Sequence, residues 1–462
     1  MLLSILLSIW RTNIYGYTHI SDWDVLFSPF YVAAIIIVAN IIKNKRIRAN
    51  PIYKYYVWGL AVKIIGGMSV CLIYTQYYYD GDTTGYYHSA LCMLKLGSQD
   101  IVKFMETWFA GPSFENYLYF NNTIGYPLYW FDPPANFVCR IAVPFVFLGA
   151  GCFMPAAILM AWVTYFGIWK MYEIFCEQFP ALSKQFAIAI LFMPSVFFWG
   201  SGILKDAITF SALSWYTYAF YSFFIKKKYS MKYVIIILIA AYFIIKIKPY
   251  ILFALMPGSI IWLFRERIQR IKNQFFRTVF APFILTMGLF LAYYLLANAS
   301  QYLGEYSLEN ALFKAQVSNI DMKESYYQGN SFSIGDFEPT ISSAMSVAHL
   351  AIFAGLFYPT LIQVKNVVMM LAALENTYIL ALTVYLLFKL KLFAFFGSLF
   401  KDPLLMFTIL FSIFFAFAVG ISVSNFGTLV RLRIPCIPFY MCSLFILKHF
   451  YDENVKKKSG FS

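Results

Sequence analysis

The sequence predicts an all-α, polytopic transmembrane helical bundle. Three observations carry this: 61% of the residues are hydrophobic, only 13% are charged, and the mean hydropathy is +0.66, far from the balance of a water-soluble domain. The aromatic excess, 50 Phe and 36 Tyr, suits lipid-facing helices and interfacial belts. A formal charge of +14 could suggest nucleic acid, but the basic residues fall in short clusters between apolar runs. That is the positive-inside pattern, and it excludes a nucleic-acid partner in favour of a lipid bilayer.

Taken in order, Met1 to Trp10 is apolar but too short to span and lacks a cleavage pattern, so it is placed along the interface. The first span runs from about Leu26 to Ile42 and closes on Lys43, Lys45, Arg46 and Arg48, marking the cytoplasm. A second, about Tyr55 to Tyr79, delivers Asp80 and Asp82 to the outer face. The outer loop of about residues 80–136 is acid-rich, and its Ala90–Leu94 and Ile101–Met105 pieces read as short amphipathic helices on the surface. Arg140 to Gly149, interrupted by Pro144, reads as re-entrant or interfacial.

Further spans are expected at Phe153–Phe175, Ile188–Trp199, Ala207–Phe224, from Tyr233 to Lys246, from Tyr250 back to the basic run Arg265 to Lys272, and at Thr278–Asn298. A second large outer loop, about residues 299–343, is also acidic, and its glycines and Pro339 suit a loop that closes over something as well as a plain connector. Ala348–Tyr358 is interfacial. Spans at Val367–Phe388 and Pro403–Val423 precede an outward turn, Ser424 to Pro435, and a last span ends in Lys456-Lys457-Lys458. This gives about 11 spans, each near 20 residues and about 30 Å long, in a single transmembrane domain of residues 1–462 with a cytoplasmic C-terminus. The seven cysteines are scattered without a C-x-x-C pair, so neither a zinc site nor a disulfide framework is indicated.

Under this topology the polar exceptions share one outer face: Asp80, Asp82 and His88; Lys205 and Asp206; Lys246 and Lys248; Arg431 and Arg433. Ionisable residues at span ends are costly and commonly mark a substrate path. Unopposed lysines and arginines suit an anionic phosphate, each attracting it by roughly 4 kcal/mol before desolvation at 4 Å and an effective dielectric near 20, and Arg grips phosphate in a two-pronged fork. The plainer alternatives are a polar turn for Asp80-Gly81-Asp82 and lipid headgroups for the cations. Asp80, Asp82 and His88 are also the one stretch able to offer ligands to a divalent cation; no other cofactor is indicated. Gly427 and Pro435 around the last arginines favour a non-helical turn, tolerated at membrane depth only inside protein or against a wet cavity.

In layout, these features resemble the GT-C integral membrane glycosyltransferases. The stretches Gly202-Ile203-Leu204-Lys205-Asp206, Lys248-Pro249-Tyr250, Leu374-Glu375-Asn376 and Asn425 to Arg433 are similar to polymerase-like bacterial membrane proteins of surface-polysaccharide loci. The resemblance implies a glycosyltransferase of the bacterial inner membrane that takes sugar from a polyprenyl-phosphate-linked donor on the outer, periplasmic face. Its acceptor would be a glycan, lipid or protein. It also implies Asp80 or Asp82 as catalytic base, and His88, Lys205, Asp206, Lys246, Lys248, Tyr250, Glu375, Arg431 and Arg433 at the substrate. In one respect the chain departs from GT-C enzymes: their acidic loop follows the first span, whereas here it follows the second. The alternatives are a polymerase of lipid-linked repeat units, or a transporter or flippase for lipid-linked sugars; a transporter calls for broken helices at mid-membrane and an internal repeat.

Overall fold

The computed structural model describes residues 18–264, 308–324, 330–390, 398–399 and 402–458. Met1–Trp10, the basic run Arg265 to Lys272, the Thr278–Asn298 span and the beginning of the second large loop lie outside the described residues. Helices dominate, and an isolated bridge between Ser331 and Asn425 is the only β-pairing among the described residues. Among the described residues, five helices are long and apolar enough to cross a membrane: Asp22–Arg46, Pro51–Gln76, Phe153–Gln178, Met369–Leu390 and Pro403–Ser422. A sixth arises if Phe426–Leu432 and Cys436–Val455, bent by 68°, make one span. The chain divides into two compact units. The first comprises Met1–Glu177, Val196–Ala219 and Val234–Lys248; the second Gln178–Ser195, Phe220–Tyr233 and Pro249–Ser462.

In the first unit, α1 (Asp22–Arg46) begins with a capping box in which the Ser21 hydroxyl and the Asp24 carboxylate satisfy each other's backbone amides. Asp24 is buried, and its second oxygen accepts the Met154 amide at 2.7 Å, so one carboxylate caps both α1 and α6 (Phe153–Gln178). Helix α2 (Tyr56–Gln76) continues from a tight 3-10 turn at Pro51–Tyr55. The acidic loop is more helical and more buried than hydropathy suggested. It opens with α3 (Asp82–Gln99), an 18-residue helix with twelve buried residues, followed by α4 (Ile101–Phe109), which is capped by Asp100. The surface helix expected at Ala90–Leu94 is therefore the buried middle of α3. What buries it is α5 (Pro133–Leu148), packed along its length. Asp132 caps α5 at the Ala135 amide, with Pro133 and Pro134 in the first turn, where no amide partner is needed. Helices α7 (Lys205–Phe220) and most of α8 (Met231–Ile247) complete this unit.

In the second unit, α9 (Tyr250–Leu263), α10 (Leu308–Asp321), α11 (Ala348–Phe357) and α15 (Cys436–Lys458) pack on the apolar α13 (Pro403–Ser422). Small residues let backbones approach: Gly355 lies against the Ala416 carbonyl and Gly420 against Ala351. Trp262 stacks on Phe407 at 4.6 Å and Phe411 meets Phe439 edge-on at 4.7 Å. Helix α12 (Val367–Leu390) packs on α15. The stretch Ser424 to Pro435 contains α14 (Phe426–Leu432), capped by Asn425, and not the non-helical turn anticipated. The chain breaks only at Arg433–Pro435, because proline denies the next turn its amide. The stretch expected to span at Ile188–Trp199 is likewise broken, with a wide turn at Ile188–Phe192 before a new start at Pro194.

Candidate functional site

Asp80 and Asp82 play different parts. Asp80 is exposed, and its carboxylate accepts the Gly81 amide at 2.6 Å and the Thr84 hydroxyl at 3.1 Å, the work of a turn residue. Gly81 has φ 150°, and a Cβ there would collide with the Tyr74 ring, so the turn depends on glycine. Asp82, half-buried in the first turn of α3, accepts the Tyr129 hydroxyl at 3.1 Å. Burial first, then the Asp82 charge, push the Tyr129 phenol above its ordinary value, so it stays a neutral donor to the carboxylate.

Tyr129 leans on Tyr86, one turn along α3, with ring centroids 5.0 Å apart. Over the Tyr86 ring, at 6.0 Å, lies the Lys205 ammonium. It pairs with the second oxygen of Asp132 at 3.6 Å, the side chains being 20% and 47% exposed. The first oxygen of Asp132 caps α5. The sequence-derived candidates Asp82 and Lys205 are thus joined through a tyrosine pair, with a carboxylate at one side and an ammonium at the other.

Below Lys205, α5, α6, α7 and α8 enclose an apolar groove of about 780 Å³, within the usual range for a ligand cavity. Residues three and four apart line it: Phe137 and Arg140 on α5, Ile208 and Trp215 on α7, Ile239 and Phe243 on α8. Ile208 is one helical turn beyond Lys205, and Trp215 lies about 15 Å along the axis. Arg140 is the cation of this lining. It donates to the Trp108 carbonyl at 3.1 Å, lies 5.7 Å from the Phe137 ring, and keeps a buried Nε without a partner among the described residues.

The other predicted residues of this unit are engaged elsewhere. His88 is buried, its Nε2 meeting the Tyr126 carbonyl at 3.1 Å beside Cys92. Burial first, then Lys95, hold the imidazole below its ordinary value, against the Tyr126 carbonyl and Asp80. Asp206 and Lys248, 0% and 6% exposed, form a buried ion pair, which spends the Lys248 charge on a protein carboxylate. Lys246 is exposed, near the Tyr242 ring. Among the described residues no three His, Cys, Asp or Glu side chains converge as a metal site; Asp80, Asp82 and His88 do not form one, since His88 is committed to Tyr126 and Asp82 to Tyr129.

Tyr250, Glu375, Arg431 and Arg433 belong to the second unit. Tyr250 packs against Phe415. Glu375 receives the Ser195 amide at 2.8 Å and its hydroxyl. Arg433 is fully buried, donating to the carbonyls of Leu356 at 3.3 Å and Tyr358 at 2.7 Å and to the Asn376 side chain, which itself holds the Pro359 carbonyl at 2.7 Å. Of the two settings open to this arginine, it takes the interior of the protein, in a cage of two backbone carbonyls and the Asn376 side-chain oxygen. A phosphate could be clamped there only by dismantling it. Arg431, in the last turn of α14, is half-buried.

Sequence reasoning missed Tyr86, Tyr129, Asp132, Arg140 and Lys63. The tyrosines are hidden among 36, but Asp132-Pro133-Pro134 is a legible cap signal, and a lysine inside an apolar span is a functional hypothesis by default. Comparison of the chain with protein-family models, curated proteins and solved structures finds no match.

Proposed function

We propose that the protein is a membrane glycosyltransferase that takes a sugar from a polyprenyl-phosphate-linked donor at the outer face of a bacterial inner membrane, in surface glycan or polysaccharide assembly. One observation carries this reading: a carboxylate and an ammonium flank a tyrosine pair at the head of an apolar groove. A lipid-linked sugar has the same order of parts, a polar head, an anionic phosphate and a long apolar chain. The chain lies in the groove between α5 and α7, and the phosphate draws Lys205 from its half-exposed partner Asp132. The sugar lies on the Tyr86 and Tyr129 rings. Asp82 takes the proton of the acceptor hydroxyl as that oxygen bonds to the anomeric carbon; the bond to phosphate breaks, and the lipid phosphate leaves with the electron pair. General-base help of this kind is worth about 10²- to 10⁴-fold.

The topology that goes with this function has about 11 spans, the Asp80 turn outside and the C-terminus in the cytoplasm. In intact cells, cysteine at Tyr79, which is exposed, reacts with an impermeant thiol reagent and cysteine at Lys228 does not; the opposite pattern overturns the placement. A polymerase of lipid-linked repeats would use the same site, with a lipid-linked glycan as acceptor. A flippase is the competing class, and the buried Asp206–Lys248 pair favours it, since charges buried between helices are common on transport paths. Purified protein with lipid-linked donor decides between them by chromatography. Sugar transfer that is lost when Ala212, which lines the groove, is changed to Trp supports the transferase. Movement of donor across vesicle bilayers without transfer refutes it.

A further inference from the structure

We infer that Lys63 is a positioning residue, holding Lys205 at its distance from Asp82 through the turn Gly200–Gly202. The inference rests on the site proposed above, but its test does not require activity. Lys63 is the charged residue of α2, 3% exposed, and its ammonium donates to the Gly200 carbonyl. Among the described residues no carboxylate pairs with it. An ammonium buried in an apolar helix for a single carbonyl is a costly way to fill space.

The surroundings show what it holds. Lys63, Gly66, Gly67, Val70 and Tyr74 recur three and four residues apart, so they share one face of α2. The chain leading to Lys205 lies across that face. A Cβ at Gly66 would overlap the Phe197 carbonyl, one at Gly67 would sit 3.4 Å from the Gly202 amide, and Gly202 itself, at φ 76°, packs against Val70. Trp199 meets Tyr74 edge-on at 6.3 Å. The Tyr74 ring also covers Gly81, the residue before Asp82. One helix face therefore carries both the turn that precedes Lys205 and the turn that precedes Asp82. To this close backbone packing the Lys63 hydrogen bond adds a directional tie, which fixes the register of the first turn on α2.

The test uses the full chain in detergent, in which the native cysteines are buried. Cysteine is placed at Lys205 or, as a control, at exposed Lys246, and labelled with trimethylammonium-ethyl methanethiosulfonate. Adding Lys63→Met should change the labelling rate at 205 by about fivefold, the factor that a modest shift in local equilibrium produces, and leave position 246 within about twofold. If Lys63→Met does not fold, Gly202→Ala, which strains the same turn, should give the same selective change. An unchanged rate at 205, or equal changes at both positions, overturns the positioning role. Absence of sugar transfer by the wild-type protein, with the selective change intact, would reject the glycosyltransferase and leave the geometry standing.

Discussion

Replacing Asp82 by Asn separates chemistry from folding at this site. The side chain accepts the Tyr129 hydroxyl and sits in the first turn of α3. Asparagine keeps an acceptor for Tyr129, so that contact loses only its charged component, about 1 kcal/mol. The favourable placement of a carboxylate at a helix N-terminus is worth a further 0.3–1 kcal/mol, roughly, and is lost. The expected destabilisation is then about 1–2 kcal/mol, a drop of several degrees at most in the thermal midpoint. Catalysis should suffer far more, because an amide cannot accept the acceptor's proton: about 10²- to 10⁴-fold. Thermal melts of purified protein, alongside initial rates of sugar transfer from lipid-linked donor, give both numbers. A variant that retains a tenth of the wild-type rate would remove Asp82 as the base. One that loses activity only by unfolding would reduce it to a structural residue.

Asp80→Asn should leave transfer within about threefold, since the amide oxygen still serves the turn; a loss equal to that of Asp82→Asn in the same assay would make the two carboxylates partners. Arg433→Met should destabilise by roughly 3 kcal/mol or more, because the oxygens of Leu356, Tyr358 and Asn376 lose their donor in a buried site; a near-normal melt with weakened use of donor would instead mark the arginine as a phosphate ligand. Arg431→Lys tests the other arginine of this stretch, since loss of the two-pronged fork raises the apparent KM for donor if it grips phosphate, and an unchanged KM removes it. Burial depresses the His88 imidazole, so the folded state binds its proton less readily than the unfolded state. Its stabilising contribution is therefore complete above the ordinary value of 6.5 and fades as pH falls below it. Thermal midpoints measured from pH 8 to pH 5 should fall less steeply on the acid side in His88→Gln than in wild type, and identical slopes would contradict the assignment.

Hydropathy made α1, α2, α6, α12 and α13 legible, because each is an apolar run with a basic or polar boundary. The acidic loop was harder to interpret. Its polar residues suggested exposure, yet Thr83, Thr84, His88 and Ser89 of α3 are buried, and Thr84, His88 and Ser89 meet turn oxygens, the Tyr126 carbonyl and the Leu128 amide, which no local pattern reveals. Asp82 and Lys205 stood out as charges in a chain poor in them. Their connection did not, because it runs through tyrosines indistinguishable in sequence from the belt residues around them. The surroundings of Arg433 were hidden for a related reason: a charge near a span end suggests a ligand, while two of its partners are the backbone carbonyls of Leu356 and Tyr358, which leave no trace in side-chain identity. Lys63 was overlooked because one cation barely alters the hydropathy of a long apolar run.

The divided carboxylate of Asp132 has a mechanical consequence. One oxygen anchors the first turn of α5 while the other reaches Lys205, so the same residue is hinge pin for a groove wall and counter-ion for the site above it. Whatever pulls the ammonium away leaves the pin in place but would release it from its second tether, while α5 keeps its packing on α3. By thermodynamic reciprocity, whatever wedges that wall open must loosen the ammonium by the same factor. Head and tail of a ligand would then be sensed together, and a molecule offering only one of them would gain only part of the binding energy.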